Sequence, residues 1–321
     1  MTRPTRRLRR RSRERRAKRV DQARRGVLFL NPRSGGGRAE RLGLVDKAVE
    51  LGIGTVVLSP GDDLRALAEE AVARGADVLG VAGGDGSQAL VADVARLHDV
   101  AFVCVPAGTR NHFALDLGLD RDDVTGALDA FGDAVERRVD LAMVGERVFV
   151  NNASLGVYGT VIQSEGYRDA KMATAAQLLP ELLGPGSEWF DLRFARPDGA
   201  IATTADVLMV SNNVYRLNTL DGFGTRTRLD AGVLGIVTVT VNRVRSLSAL
   251  LSADSEGHVE RYPGYGEWVV PEFEVDSGRN CSTSGSTARR TRAPTASTRF
   301  RRRTGAPTAS AGGRTPTTPT V

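Results

Sequence analysis

The sequence is poor in cysteine, in aromatic side chains and in long apolar runs. Its 321 residues include two cysteines, and Phe, Trp and Tyr together make up 5%. Cys104 and Cys281 lie far apart, which excludes a disulfide framework and a zinc site built from cysteines. No run approaches the roughly 18 apolar residues of a transmembrane helix, and none follows the charged N-terminus as in a secretory signal peptide. We therefore expect a cytoplasmic protein with reduced thiols.

Acidic residues are scarce at both ends of the chain. Residues 1–25 hold 13 bases and 2 acids, and residues 278–321 hold 9 arginines and no acid. The intervening residues 26–277 hold 22 bases and 36 acids, a net charge of −14, although the whole chain carries +6. A region this acidic argues against nucleic acid as a partner, because nucleic-acid binding depends on basic surface.

Both ends are predicted to be disordered. The Arg-rich head, residues 1–25, has almost no apolar anchors and is either a solvated tail, which we favour, or an attachment to anionic lipid headgroups. Residues 278–321 form a low-complexity tail of Ser, Thr, Arg, Pro, Ala and Gly. Such a composition cannot build a packed core.

Short apolar runs alternate with helical stripes in the first part of the chain. The predicted strands cover 26–31, 55–58, 77–82 and 101–105. Apolar residues at spacings of three and four separate them, which indicates helices. Strands and helices in alternation predict a parallel sheet covered on both faces, over residues 26–139. Cys104 lies inside the fourth strand, where we expect a buried thiol rather than a nucleophile.

From about residue 140 the pattern changes to strands with few helices between them. The predicted strands cover 147–151, 190–194, 206–210, 234–241 and 267–270, and the predicted helices lie at about 168–183 and 246–253. This pattern is typical of antiparallel sheet. Because the chain is longer than one core usually supports, we predict a second, mainly antiparallel domain over residues 140–277.

Three glycine-containing turns each follow a predicted strand. They read Asn31-Pro32-Arg33-Ser34-Gly35-Gly36-Gly37, Gly83-Gly84-Asp85-Gly86-Ser87 and Pro106-Ala107-Gly108-Thr109-Arg110-Asn111-His112-Phe113-Ala114. Ligands of open α/β sheets bind at the carboxyl ends of the strands. Glycine permits close backbone approach, and the N–H groups at a helix start suit a phosphate. The turns therefore predict a nucleotide phosphate site.

Individual polar residues in these turns have two interpretations each. Asp85, flanked by glycines, suits a position facing the phosphates or their magnesium, but Asp85 or Ser87 also suits a helix N-cap. Thr109 and Asn111 offer hydrogen bonds to a ligand. For His112 we favour a partly exposed helix residue over a general base, and no second histidine or cysteine accompanies it for a metal site.

The three turns, in this order, resemble the diacylglycerol kinase catalytic-domain family, bacterial lipid kinases related to sphingosine kinases and more distantly to NAD kinases. That family carries an NPxSG turn, a GGDGT turn, where Ser87 replaces the threonine, and a PxGTxNxFA turn. Val139-Asp140-Leu141 and Phe149-Val150-Asn151-Asn152-Ala153-Ser154-Leu155-Gly156 are similar to the family's passage into its second domain. The resemblance covers about residues 26–277.

The resemblance implies an α/β fold: a Rossmann-like, NAD kinase-type domain followed by a β-sandwich that receives the lipid. It implies ATP and Mg²⁺ and transfer of the γ-phosphate to a diacylglycerol-like lipid, with Asp85 catalytic. The candidate nucleotide-binding residues are Asn31, Ser34, Gly35, Ser59, Gly83, Gly84, Asp85, Gly86, Ser87, Gln88, Ala89, Gly108, Thr109 and Asn111. The resemblance also implies a magnesium ligand near Asp230, which lies one residue from the family position; for Asp230 we favour a turn-capping role over that of a ligand.

The tail departs from the family, which places an Asp-Gly-Glu turn, whose carboxylate is the base, and a closing strand after the 268–275 strand. No acid follows Asp276, and we predict that both features are missing. We favour a reading-frame shift near Ser277–Gly278, because Gly285-Ser286-Thr287-Ala288-Arg289-Arg290 can be encoded by GGA TCG ACG GCG AGG CGN. Read from the third base, these codons give Ile-Asp-Gly-Glu-Ala. Loss of a general base typically costs 10²–10⁴-fold in rate.

The leading prediction is an ATP-dependent lipid kinase, peripheral on the inner face of the membrane. The alternatives are an NAD kinase-like enzyme, which shares the Gly-Gly-Asp-Gly turn, and a catalytically impaired nucleotide-binding protein at the membrane surface. A nucleic-acid binder that uses the two basic ends is opposed by the −14 central region. The oligomeric state is left open, with a homodimer as one option.

Overall fold

The computed structural model describes residues 17–156, 191–217, 224–226, 228–241, 247–276, 291–292 and 297–303. In these ranges no helix is long and apolar enough to cross a membrane. The helix predicted at about 168–183, Cys281 and the segment 285–290 lie outside the described residues.

The first part of the chain alternates strands and helices, as its sequence pattern predicts. Its strands are β1 (Lys18–Val20), β2 (Gly26–Leu30), β3 (Gly54–Val57), β4 (Val78–Gly83), β5 (Ala101–Pro106) and β6 (Ala134–Asp140). Its helices are α1 (Arg38–Arg41), α2 (Leu44–Glu50), α3 (Leu64–Ala73), α4 (Asp85–Leu97) and α5 (His112–Asp116), with 3₁₀ turns at Ser34–Gly36 and Gly126–Phe131.

The second part is built mainly of strands. They are β7 (Ala142–Val144), β8 (Arg147–Phe149), β9 (Asn152–Gly156), β10 (Asp191–Ala195), β11 (Ile201–Thr204), β12 (Val207–Asn212), β13 (Arg216–Leu217), β14 (Gly224–Thr225), β15 (Leu234–Val239), β16 (Tyr265–Val270), β17 (Glu272–Phe273), β18 (Val275–Asp276), β19 (Thr291–Arg292) and β20 (Ser297–Arg303). One helix, α6 (Leu247–Ser255), and a 3₁₀ turn at Val259–Arg261 complete the described elements.

A seven-stranded sheet forms the first domain, in the order β1-β6-β20-β5-β4-β2-β3. Strands β3, β2, β4 and β5 are parallel, so their carboxyl ends meet at one edge of the sheet. Leu28 and Leu30 pack on one face with Leu44 of α2. Phe29, one residue out of phase, packs on the other face with α3 and α4. The alternation buries both faces, and the parallel sheet with helices on both sides is confirmed.

Both ends of the chain contain strands, which contradicts three predictions. Lys18–Val20 of the supposedly disordered head pairs antiparallel with β6 at the sheet edge. Ser297–Arg303 of the supposedly disordered tail lies inside the same sheet, parallel to β5 and antiparallel to β6. The prediction that the chain lacks a closing strand is therefore wrong. Strand pairing uses main-chain N–H and C=O groups, which side-chain composition does not reveal.

Antiparallel pairing organises the second part. A four-stranded sheet runs β16-β15-β12-β9, and a three-stranded sheet runs β11-β10-β18. Leu208 and Ile236 of the first of these sheets pack with Leu192 and Val275 of the second. Val207 and Val237, from the opposite face, pack with Leu250 of α6. The four-stranded sheet is thus covered by strands on one face and by a helix on the other. A further four-stranded sheet runs β17-β19-β7-β8, in which β19 pairs with both β7 and β17.

Candidate functional site

The three glycine turns meet at the carboxyl edge of the parallel strands. An ideal Cβ on Gly35 would lie 2.4 Å from the carbonyl oxygen of Ala107, and one on Gly108 would lie 2.4 Å from the Cα of Gly84. Real Cβ atoms essentially never approach other atoms this closely. The first turn therefore packs on the third, and the third on the second, only because these positions lack side chains. The structure thus brings the three turns together, as the sequence predicts.

The first turn is held in a left-handed conformation. Gly35, Gly36 and Gly37 have φ angles of 57°, 66° and 83°. The Asn31 side-chain oxygen accepts the N–H of Arg33 at 3.1 Å, and the Asn31 carbonyl accepts the N–H of Ser34 at 3.1 Å. The side chain of Asn31 therefore shapes the turn. The Arg41 guanidinium donates to the carbonyl oxygens of Gly35 and Gly36.

The second turn starts helix α4 and carries the candidate catalytic carboxylate. Its two oxygens each accept a backbone N–H of the third turn: Asp85 Oδ2 from His112 and Asp85 Oδ1 from Phe113, both at 3.2 Å. Asp85 thus caps the start of α5 rather than of its own helix. Both carboxylate oxygens keep further lone pairs, since a carboxylate accepts about four hydrogen bonds.

Two of the candidate nucleotide-binding residues lie beneath the turn, in the core. Gln88 is 2% exposed and Ala89 is 6% exposed. The Gln88 amide donates to the carbonyl oxygens of Val81, Gly83 and Val105 at 3.1–3.2 Å. Gln88 therefore joins the ends of β4 and β5, and its side chain is not presented to a ligand. The sequence of the second turn, Gly83–Ser87, did not indicate which of the residues around it are exposed and which are buried, because burial begins within the first turn of α4.

The third turn is fixed by Asn111, another of the candidate nucleotide-binding residues. Its side chain accepts the Gly108 N–H at 2.9 Å and donates to the carbonyl oxygens of Pro106 at 3.0 Å and Gly108 at 2.8 Å. Asn111 is 4% exposed and has a φ of 51°. Its amide is thus used inside the protein, whereas Thr109 is exposed. The third turn offers a ligand its backbone and Thr109.

His112 is half-buried at the start of α5, beside Asp85. Burial lowers the pKa of His112. The charges of Arg110 and Arg121 lower it further, against Asp85 and Asp116, which raise it. Together these effects hold the pKa of His112 below its ordinary value.

Ser59 follows β3, the outer strand of the parallel group, and is exposed. Its N–H donates to Asp62 Oδ2 at 2.7 Å. The preceding residue, Leu58, donates its N–H to the carbonyl oxygen of Leu30 at 2.9 Å. Ser59 thus lies on the same sheet edge as Asn31, one strand farther from the glycine turns.

Asp230, the implied magnesium ligand, is engaged by another side chain. Arg228 Nε donates to Asp230 Oδ1 at 3.0 Å, and the Asp230 side chain is 26% exposed. Within the described ranges, no group of three or more His, Cys, Asp or Glu residues is arranged to hold a metal. A nucleotide-bound Mg²⁺ usually takes one or two carboxylates together with phosphate oxygens. Asp85, with the oxygen lone pairs left by its two backbone donors, fits that role better than Asp230.

Cys104 is 2% exposed, and burial, with a smaller contribution from the charge of Asp85, raises the pKa of its thiol. A buried protonated thiol is a poor nucleophile. The expectation of a buried thiol is confirmed.

A set of buried polar residues joins the first domain to the second part, and sequence reasoning missed its side chains. We call it the polar seam; it comprises Asp116, Asp140, Asn212, Asn213 and Arg226. Asp140 Oδ2 accepts the Asn213 side-chain amide at 3.2 Å and the N–H of Gly232 at 2.7 Å. Only Asp140 had a sequence signal, as part of Val139-Asp140-Leu141.

The match to a known family falls on the domain that carries the three turns. Residues 25–144 match the family model of the diacylglycerol kinase catalytic domain. The resemblance inferred from the motifs is confirmed for this segment.

Individual relatives match over the same part of the chain. The chain is 33% identical over 122 residues to a diacylglycerol kinase of Mycobacterium tuberculosis, covering 37% of this chain and 40% of that protein. It is 36% identical over 91 residues to a diacylglycerol kinase of Bacillus subtilis, covering 28% and 30%. A Pseudomonas fluorescens protein named "Probable lipid kinase YegS-like" is 32% identical over 144 residues, covering 40% and 47%. The matched segment thus spans less than half of each relative.

The similarity in shape extends further along the chain. A crystal structure of a diacylglycerol kinase from Bacillus anthracis superposes with a TM-score of 0.63 over 88% of this chain and 98% of that chain, at 16% identity. At this identity the likeness establishes the fold alone: a parallel α/β sheet together with separate antiparallel sheets.

Proposed function

We propose that the protein is an ATP-dependent lipid kinase that transfers the γ-phosphate of ATP to the hydroxyl of a diacylglycerol-like lipid, giving a phosphatidic acid-like product. The observation that carries the proposal is the convergence of Gly35, Gly84 and Gly108 beside Asp85, in the segment that matches the diacylglycerol kinase catalytic domain. Lipid kinases among the relatives support the lipid as acceptor.

The first domain would bind the triphosphate. Gly36 and Gly86 have no atom within 4 Å of an ideal Cβ, so their backbone is open to a ligand while their neighbours pack together. The first turn of α4 directs unpaired N–H groups toward the sheet edge, and such groups attract phosphate. The chain lacks the GxxxxGK[ST] sequence of P-loop enzymes, so backbone amides replace that lysine in our proposal.

Mg²⁺, when bound with ATP, would neutralise charge on the phosphates. Asp85 would hold it, and two backbone N–H groups fix the orientation of the Asp85 carboxylate. Phosphoryl transfer needs little covalent participation by the protein, so the residues act by positioning. The lipid hydroxyl would approach from the second part, at the membrane surface. The net charge of +11 on residues 1–25 favours the anionic inner face of a membrane.

A second candidate is a nucleotide-binding protein with impaired catalysis. It is favoured by the sequence after Asp276, which contains no Asp or Glu to serve as general base. In either case we expect this chain to be slower by 10²–10⁴-fold than a version with the Asp-Gly-Glu turn restored.

The test incubates the full chain with γ-labelled ATP, Mg²⁺, NAD and diacylglycerol vesicles. Label in the chloroform phase supports a lipid kinase, and label in NADP supports an NAD kinase. Thermal stabilisation by MgATP without turnover supports the impaired binder. If MgATP neither stabilises the protein nor labels a product, the proposal fails.

A matched pair of variants assigns any activity to the turn. Asp85→Asn removes the carboxylate charge at the site and should abolish labelling. Asp63→Asn is the control, because Asp63 also accepts two backbone N–H groups, from Arg65 and Ala66, but caps the remote helix α3. Asparagine caps helices as well as aspartate does, so this control should label the product at the wild-type rate. Equal rates in the two variants would remove Asp85 from the proposed mechanism.

A further inference from the structure

The most deeply buried ion pair among the described residues joins the two parts of the molecule. Asp116 is the last residue of α5, and Arg226 follows β14 in the second part. Arg226 donates to Asp116 Oδ2 through Nε at 2.8 Å and through one terminal nitrogen at 2.5 Å. The Arg226 side chain is 0% exposed and that of Asp116 is 5% exposed. The pair is therefore shielded from water. Charge interactions are stronger in the protein interior than in water.

Arg226 also binds three residues in two segments of the second part, 150–151 and 212. Its terminal nitrogens donate to the carbonyl oxygens of Val150 and Asn212 and to the side-chain oxygen of Asn151. Together with the two bonds to Asp116, the guanidinium makes five hydrogen bonds, which is its full donor capacity. A lysine at this position could make three bonds from a single nitrogen and could not reproduce the planar arrangement.

The other end of α5 holds the candidate catalytic carboxylate. Asp85 accepts the N–H groups of His112 and Phe113, the first two residues of the helix. Five residues of helix span about 7.5 Å. A short rigid element thus has Asp85 at its beginning and the second part of the molecule, through Arg226, at its end.

We propose that Arg226 is a positioning residue: through Asp116 and α5 it keeps the second part in register with the Asp85 turn. This inference rests on the proposed function. Gly35, Gly84 and Gly108 all lie in the first domain, so the ion pair is not needed to build the phosphate site. It is needed to align an acceptor hydroxyl carried by the second part, and a misplacement of about 1 Å can cost about 10²-fold in rate.

The first experiment measures hydrogen exchange of the full chain with and without MgATP. We expect MgATP to slow exchange in the turns, over residues 83–113, and also in β12 of the second part, because α5 transmits the ordering. In Asp116→Asn, which keeps the shape but removes the charge, protection of the turns should remain and protection of β12 should be lost. Hydrogen exchange does not require turnover, so a slow enzyme gives the same readout.

The matched control is Asp93→Asn. Asp93 has a side chain 5% exposed and an ion pair with Arg65 at 2.7 Å, like Asp116 with Arg226, but both of its arginines, Arg65 and Arg96, lie in the first domain. It should lose stability without losing protection of β12. Arg226→Lys provides a second test, since it keeps the charge and loses the planar donor set; it should also lose β12 protection.

Kinetics separate positioning from a merely structural role. In Asp116→Asn we expect kcat for lipid phosphorylation to fall at least 10-fold while the Kd for MgATP changes less than twofold. Three results would overturn this inference but leave the proposed nucleotide site standing. Protection of β12 could persist in Asp116→Asn, or it could be lost equally in Asp93→Asn. It could also be missing from the wild type while the turns are protected. An MgATP effect that is missing everywhere in the wild type instead rejects the proposed nucleotide site.

Discussion

The glycine turns and the polar seam are built on opposite principles. At the turns, backbone lies against backbone because Gly35 and Gly108 have no side chain. In the seam, charged and amide side chains fill the space and bond to one another, as Asp116 and Arg226 do. At Gly35 and Gly108 the turns therefore tolerate no added atom, whereas the seam tolerates no lost partner. One site can be altered by a single methyl group and the other by removal of a single charge.

The largest expected effect is in the seam. Arg226→Met leaves the Asp116 carboxylate buried without its cation, and removing one partner of a buried pair costs about 3–5 kcal/mol. Urea unfolding should show this loss. In the control Arg65→Met, Asp93 keeps Arg96 as a partner, and the loss should stay below about 1 kcal/mol. Equal losses of unfolding free energy in the two variants would mean that burial of the Asp116–Arg226 pair adds nothing to its contribution to stability.

Next in size is Gly108→Ala at the turns. The new methyl group would lie 2.4 Å from the Gly84 Cα and 2.8 Å from its nitrogen. Backbone must move, and overpacking of this kind costs about 1–3 kcal/mol. Thermal unfolding measures the loss, and calorimetry should show MgATP binding weakened at least tenfold. Unchanged binding would contradict a phosphate site at these turns.

A smaller effect separates two neighbouring glycines. Gly35→Ala and Gly36→Ala both place alanine at a positive φ, which costs about 1–2 kcal/mol in each. Only Gly35→Ala also meets a carbonyl oxygen, at 2.4 Å, whereas nothing lies within 4 Å of a Cβ on Gly36. We expect Gly35→Ala to be less stable by about 1–3 kcal/mol more than Gly36→Ala in denaturant melts. Equal stabilities of the two variants would show that the first and third turns are not in contact.

The smallest effect has opposite signs for stability and binding. Gly86 lies in the first turn of α4 with open space around it. Gly86→Ala should therefore stabilise the free protein by about 0.5–1 kcal/mol, through helix propensity. If a nucleotide lies over this turn, the same methyl group should raise the Kd for MgATP. If the variant is stabilised but its affinity for MgATP is unchanged, the nucleotide does not lie over Gly86.

The sequence pattern predicted the parallel strands and their order of appearance well. Strands β2, β4 and β5 are continuous apolar runs because both of their faces are buried. Strand β6, Ala134-Val-Glu-Arg-Arg-Val-Asp140, was missed, because its middle residues are polar and partly exposed. Strand β20 was missed for a related reason: an Arg-rich segment does not look like a strand inside a sheet.

The candidate site was predicted as a set of turns but not as a set of roles. Asp85 lies where the motif predicts, while Asn111 and Gln88 use their amides within the protein. No local pattern distinguishes an amide that binds a ligand from one that binds a carbonyl oxygen nearby. The partner of Asp116 could not be predicted from the sequence either, because 110 residues separate Asp116 from Arg226.

The sequence by itself determined the glycine turns, the strands that precede them and the family resemblance of residues 25–144, because each depends on residues close together in the chain. Tertiary structure alone decided that Ser297–Arg303 enters the first sheet and that Arg226 meets Asp116. Main-chain pairing is nearly independent of side-chain type, and the partner of a buried charge can lie far away in the sequence. Neither feature produces a periodic pattern in the sequence.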